Sequence, residues 1–195
     1  MKKLLLSAVI AVLGLSQVNA QDEDATGGFN NGDLYVSGSL GFDSSKQGDF
    51  KRNSLDFSPS VGYFVSDNIA LELNLLVGST KDEDDDKTSR VGGGLGATYF
   101  FTPSNQFSFT LGAGFAYVSD TNKPDGGPDF KVNSFAVAIA PGLNYFISDN
   151  FALRASIAAL SYASAKADFD GAEAANNFSL NADLSNINLG VTYKF

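Results

Sequence analysis

The chain has no cysteine and no histidine. Without Cys there is no disulfide framework, no thiolate nucleophile, no thiolate metal site and no residue to carry a lipoprotein anchor. Without His, every catalytic triad or dyad that needs an imidazole base is excluded, as are His-ligated metals. Basic residues are scarce: 13 Lys and Arg stand against 22 Asp and Glu, a net charge of −9. So acidic a chain repels nucleic acid phosphates, and no nucleic acid partner is expected. Long apolar runs are missing after residue 20, because charges, Ser, Gly or Asn interrupt each one. A transmembrane helix needs about 20 apolar residues, so none is expected. What is present is aromatic: 17 Phe and 7 Tyr in a chain that is 44% hydrophobic, enough to bury surface and to exclude disorder.

The first 20 residues carry the parts of an export signal. Lys2 and Lys3 form a positive start, Leu4 to Leu15 an apolar stretch, and Val18-Asn19-Ala20 a cleavage site with Gln21 as the first mature residue. Acidic Asp22, Glu23 and Asp24 follow, and residues 21–32 read as a short solvated leader before a single domain over 33–195.

From residue 34 the dominant signal is alternation with a period of two, the mark of strands with unlike faces. It predicts eight strands, near 34–42, 55–64, 69–78, 91–101, 107–117, 134–145, 151–158 and 187–195. In the third, Ile69, Leu71, Leu73, Leu75 and Val77 share one face, while Glu72, Asn74 and Gly78 lie on the other. The fifth sets Phe107, Phe109, Leu111, Phe115 and Tyr117 against Ser108, Thr110, Gly112 and Gly114. A soluble barrel would turn its bulky face inward. An eight-stranded barrel has room inside only for packed side chains. Gly, Ala and Ser inside with Leu, Phe, Ile and Val outside is the arrangement of a barrel solvated by lipid. The expected fold is therefore an all-β, eight-stranded antiparallel up-and-down transmembrane β-barrel.

An internal repeat marks the turns. Tyr63-Phe-Val-Ser-Asp-Asn-Ile-Ala-Leu71 recurs as Tyr145-Phe-Ile-Ser-Asp-Asn-Phe-Ala-Leu153, with a looser copy from Tyr99 to Phe107. Each joins two strands through Ser or Thr, Asp, Pro and Asn, residues suited to tight turns. Three tight turns then lie at one end, and four long loops, near 43–53, 79–89, 119–132 and 164–178, at the other. Tyr63, Tyr99, Tyr145 and Tyr193 end alternate strands on the bulky face and form one ring, read as the periplasmic aromatic girdle.

The repeated turn and the closing run Leu189-Gly-Val-Thr-Tyr-Lys-Phe195 resemble the outer-membrane protein β-barrel domain family, the group of small OmpA-, OmpX- and OmpW-like barrels. The likeness covers residues 33–195. It implies insertion in the outer membrane of a Gram-negative cell envelope, among outer-membrane lipid and lipopolysaccharide. It also implies that Phe195 and the last strand form a C-terminal signal to the barrel-insertion machinery. With the last strand ending at Phe195, no peptidoglycan-binding domain is expected after the barrel.

Five charges fall on the inward register: Asp56, Glu72, Arg90, Arg154 and Lys194. Glu72 and Arg154 hold equivalent places in two copies of the repeat, so they are expected to face each other at one depth, with Lys194 near the same end. Lone charges in a narrow lumen are costly, which favours pairing as a structural network over an ion path. Phe64, Phe100 and Phe146 each follow a girdle Tyr, point inward, and are expected to form a lumen floor. The acidic run from Lys81 to Lys87 reads as a solvated loop, with cation or lipopolysaccharide contact as the alternative. No catalytic constellation, metal site or cofactor is expected. The function expected is a structural or surface-interaction role with a largely plugged lumen. The alternatives are a narrow, porin-like passive pore or small hydrophobic-solute conduit, and a secreted soluble ligand-binding barrel.

Overall fold

The computed structural model describes residues 27–47, 50–82, 86–156, 160–180 and 188–195; the expected export signal, leader residues 21–26 and the middle of the acidic run lie outside these. Ten strand segments follow in order: β1 (Leu34–Gln47), β2 (Phe50–Phe64), β3 (Ile69–Asp82), β4 (Lys87–Phe100), β5 (Phe107–Lys123), β6 (Phe130–Phe146), β7 (Phe151–Ser156), β8 (Leu160–Ala167), β9 (Ala175–Leu180) and β10 (Asn188–Lys194). All pairings are antiparallel, and each segment from β1 to β6 pairs with the next. β7 and β8 both pair with β6 at successive levels and form one staff of the wall. β9 pairs with β8 and β10 with β7, forming another. β10 returns to β1, with Gly38 opposite Val191, and closes an eight-stranded barrel.

The inside-out pattern holds around the wall. Leu71, Leu73, Leu75 and Val77 of β3 and Phe109, Leu111 and Phe115 of β5 are exposed, while their even-numbered neighbours turn inward. At one end the repeat makes two matching turns. Val65 N–H donates to Ile69 O at 2.9 Å and Ile147 N–H to Phe151 O at 2.8 Å. Ser66 and Ser148 accept the N–H groups of Ile69 and Phe151 on Oγ, at 3.1 and 3.2 Å. Asn68, Gln106 and Asn150 then tie each turn to the neighbouring staff, donating side-chain amides to the carbonyls of Phe100, Phe146 and Lys194.

Three expectations are corrected. The four long loops are mostly strand. β1 and β2 stay in register to Gln47 opposite Phe50, β3 and β4 to Lys81 opposite Lys87, β5 and β6 to Asn122 opposite Phe130, and β8 and β9 to Ala165 opposite Ala175. Alternation is a contrast between unlike surroundings. Where both faces meet water it fades, although the backbone ladder continues.

The seventh and eighth staves also change parity. Leu143 of β6 faces Ala155 of β7, yet four residues back Ile139 faces Leu160 of β8, five residues on. This one-residue shift moves the outward set from odd to even numbers, so Tyr162, opposite Val137, faces out. The third correction concerns the leader. Gly27, Gly28 and Phe29 are buried rather than solvated.

Candidate functional site

The turn end of the lumen is filled by rings. Phe64 (β2), Phe100 (β4) and Phe146 (β6) point inward one residue after the Tyr of each repeat copy, and all are at most 1% exposed. Phe29 enters among them from the chain before β1, its ring centroid 4.7 Å from Phe64, 5.4 Å from Phe100 and 4.9 Å from Phe146. Tyr35 completes the cluster 5.1 Å from Phe29. The entering segment passes very close to the wall. A Cβ on Gly27 would overlap Phe146, and one on Gly28 would overlap the Ser104 backbone. Phe29 N–H donates to Pro103 O at 2.7 Å, and Lys194 Nζ donates to Gly28 O at 2.5 Å, pinning the segment on both sides. Phe29 was not anticipated from the sequence. A lone Phe after two Gly breaks no periodicity, because it belongs to no strand.

Directly above the rings sits an ion pair. Arg154 Nη1 lies 2.6 Å from Glu72 Oε1. Glu72 also accepts from the Tyr35 hydroxyl at 2.5 Å and the Thr98 hydroxyl at 3.0 Å. The Arg154 guanidinium carbon stands 5.5 Å from the ring centroids of both Tyr35 and Phe100. Both charges are thus largely shielded from water and paired, which is the condition for keeping a pair inside at all. Beyond them lies a cavity of about 400 Å³ walled mainly by small residues, among them Ser58, Ser60, Gly94, Gly112 and Ala138.

The other inward charges do not join this pair. Arg90 forms a separate group nearer the hairpin end, with Nε 2.9 Å from Asp120 Oδ1 and Nη1 3.4 Å from Asp56 Oδ1. Asp120 was assigned by sequence to a loop; carrying the alternation of β5 a few residues further would have set it directly opposite Arg90. Lys194, expected beside Glu72 and Arg154, is turned instead toward Asp33, 3.9 Å away, with its ammonium over the Phe146 ring. The Gly28 carbonyl supplies it a nearer acceptor below the rings. One expected network is therefore three local groups.

On the outer surface Tyr63, Tyr99 and Tyr193 are exposed and Tyr145 is half-buried. The aromatic band around them is wider than four Tyr, since Tyr99 stacks edge-on with Phe101 and Tyr193 with both Phe151 and Phe195. Phe195 is exposed, and its N–H donates to Leu34 O at 3.1 Å. Among the described residues no group of three or more acidic side chains is gathered as a metal site.

Comparison with known proteins settles the setting of this barrel. The family model for the outer membrane protein beta-barrel domain matches residues 8–195. The chain belongs to the outer membrane protein β-barrel domain family. No curated protein matches it. Among solved structures it is similar to the N-terminal β-barrel domain of Pseudomonas aeruginosa OprF, with 20% identity over 86% of this chain and 100% of that one, at a TM-score of 0.53. It is also similar to OprG from the same organism (16% identity, 86% and 98% covered, TM-score 0.55) and to Neisserial surface protein A (17%, 83% and 97%, 0.53). At these identities the likeness is one of fold. Family and fold place the chain in the outer membrane. In such barrels the tight turns face the periplasm, so the aromatic floor lies at the periplasmic rim and the extended hairpins face outward.

Proposed function

We propose that this protein is a closed-floored barrel whose role in the Gram-negative envelope is structural or surface-interacting, with its external hairpins as the contact surface. The observation that carries this reading is the aromatic floor. Phe29, Tyr35, Phe64, Phe100 and Phe146 are each at most 1% exposed, which supports a lumen closed at the turn end. The Glu72–Arg154 pair sits on that floor as a structural support rather than an ion gate, because Glu72 is held at once by Arg154, Tyr35 and Thr98. No catalytic role follows from these groups. Export by the N-terminal signal and presentation of the Phe195 strand to the barrel-insertion machinery complete the reading.

Planar-bilayer recording tests it. The native barrel is expected to conduct negligibly, and conductance is expected to rise when Phe64, Phe100 and Phe146 are all changed to Ala. A steady open channel in the native protein overturns the closed floor and favours the passive pore or solute conduit. Membership of an outer-membrane family and the exposed apolar belt favour the membrane barrel over the soluble alternative.

A further inference from the structure

The cavity above the Glu72–Arg154 pair has two unlike walls among the described residues. On β1 and β2 its side chains are hydroxyls, with Ser37 directly opposite Ser60 and Ser39 opposite Ser58. Asn74 of β3 stands opposite Ser60 and extends the patch with an amide. Ser37 shares its hydroxyl with Thr192 at 2.7 Å, whereas Ser39, Ser58, Ser60 and Asn74 have no side-chain partner among the described residues. Directly across the barrel lie β5 and β6. There Gly112, Gly114 and Ala116 face Ala140, Ala138 and Ala136 in register, and Gly96 of β4 continues the patch beside Gly114. A flat face of methyl groups and bare backbone is thus set opposite a face of hydroxyls. At the foot, Thr110 lines the cavity while only 8% exposed, and its hydroxyl has no hydrogen-bond partner in the wall.

The two walls select what can fill the space between them. A wholly apolar solute would strip water from the hydroxyls and the amide and return no hydrogen bond, at a cost for each group. An ion gains little, because Glu72 and Arg154 already neutralise each other. Ser, Thr and Asn side chains both donate and accept, which matches hydroxyl groups in either sense. A face of Gly and Ala suits the C–H face of a saturated ring, which it can meet at van der Waals distance. A single sugar ring offers both, with hydroxyls on its edge and C–H bonds on its faces, and a cavity of about 400 Å³ holds it. We infer that this cavity is a binding site for an uncharged hydroxylated ring the size of one pyranose. Ser39, Ser58, Ser60, Asn74 and Thr110 bond its hydroxyls, and Gly112, Gly114 and Ala138 pack its C–H face. The aromatic rings end the cavity below, so the sugar enters from the external hairpins. That route rests on the closed floor, and the site itself does not.

The test uses amide NMR spectra of the isotope-labelled full barrel in a detergent without a sugar headgroup. The probes are methyl α-glucoside, cyclohexanol and gluconate, which are a neutral polyol ring, a ring with one hydroxyl and a polyol anion. Methyl α-glucoside is expected to give saturable shifts at the amides of Ser58, Ser60, Gly112 and Gly114, and to bind about tenfold more tightly than either other probe. Changing Ser39, Ser58 and Ser60 to Ala is expected to weaken it about tenfold with the barrel still folded. Ala138→Leu fills the apolar side and is expected to abolish the shifts. Equal binding of the three probes by the native barrel, or no saturable shift, overturns the site. Unchanged binding in the triple Ser variant overturns it as well, since the hydroxyl wall then plays no part. Conductance of the same protein reads the floor separately: a native barrel that conducts and still binds the glucoside loses the floor and keeps the site.

Discussion

At the scale of single residues, the lumen depends on contacts that are close and mutually satisfied. Glu72 is held by Arg154, Tyr35 and Thr98 at once. A double-mutant cycle with Glu72→Gln and Arg154→Gln, read by denaturant unfolding in lipid vesicles, is expected to show a coupling of about 1 kcal/mol or more. A coupling of zero would mean that the pair is solvated and the floor beneath it is wet. Gly62 is a second sensitive point, because it lies opposite Tyr35 on the inner face and a Cβ there would overlap the Tyr35 ring and hydroxyl. Gly62→Ala is expected to destabilise the barrel by about 1–3 kcal/mol through overpacking. Paired with Tyr35→Phe, which keeps the ring, the loss should remain; paired with Tyr35→Ala, it should largely vanish. Glu72, Arg154 and the three floor Phe were all legible in the sequence, since each sits at a fixed place in a repeated turn. Phe29 and Asp120 were not, one lying outside any strand and the other where the alternation had faded.

At the scale of strands, the outward register is what places the barrel in lipid. Leu73→Arg puts a cation on that face of β3 and is expected to cost ~2–4 kcal/mol if the site is at mid-bilayer. Spin labels at Leu73, Leu111 and Ile139 should be accessible to oxygen dissolved in the bilayer, and labels at Ala138 and Gly112 should not. The register shift between β7 and β8 adds a sharper form of the same measurement. A label at Tyr162 should behave like the lipid-facing sites and one at Ala163 like the lumen sites. Unbroken odd-number alternation along that staff demands the reverse. A count of two along the sequence could not reveal this shift, because the evidence lies in which residues face each other across the sheet.

At the scale of the whole molecule, closure and filling are separate problems. The wall closes through β1 and β10, segments at opposite ends of the chain. The periplasmic end is then filled by the stretch just before β1. Phe29→Ala removes the ring that touches three floor residues and Tyr35, and leaves every strand pairing intact. The variant is expected to fold into the same barrel, to lose about 3–5 kcal/mol of stability, and to show raised solvent exchange at the lumen amides of Phe64 and Phe146. Unchanged stability and exchange would mean that the three wall Phe suffice as a floor.

The amino-acid order by itself determined the number of staves, the faces of the first six, the tight turns and the class of solvent around the wall. Each of these is a local matter: a period of two, small residues against large ones, and turn formers at a fixed interval. It also determined that Glu72 and Arg154 would share a depth, because repetition carries depth with it. Only the tertiary structure decided what crosses between strands. The entry of Phe29 into the floor, the division of the lumen charges into three groups and the parity shift on the seventh staff all depend on register around a closed ring. Register is set jointly by every hairpin, so no single stretch of sequence contains it.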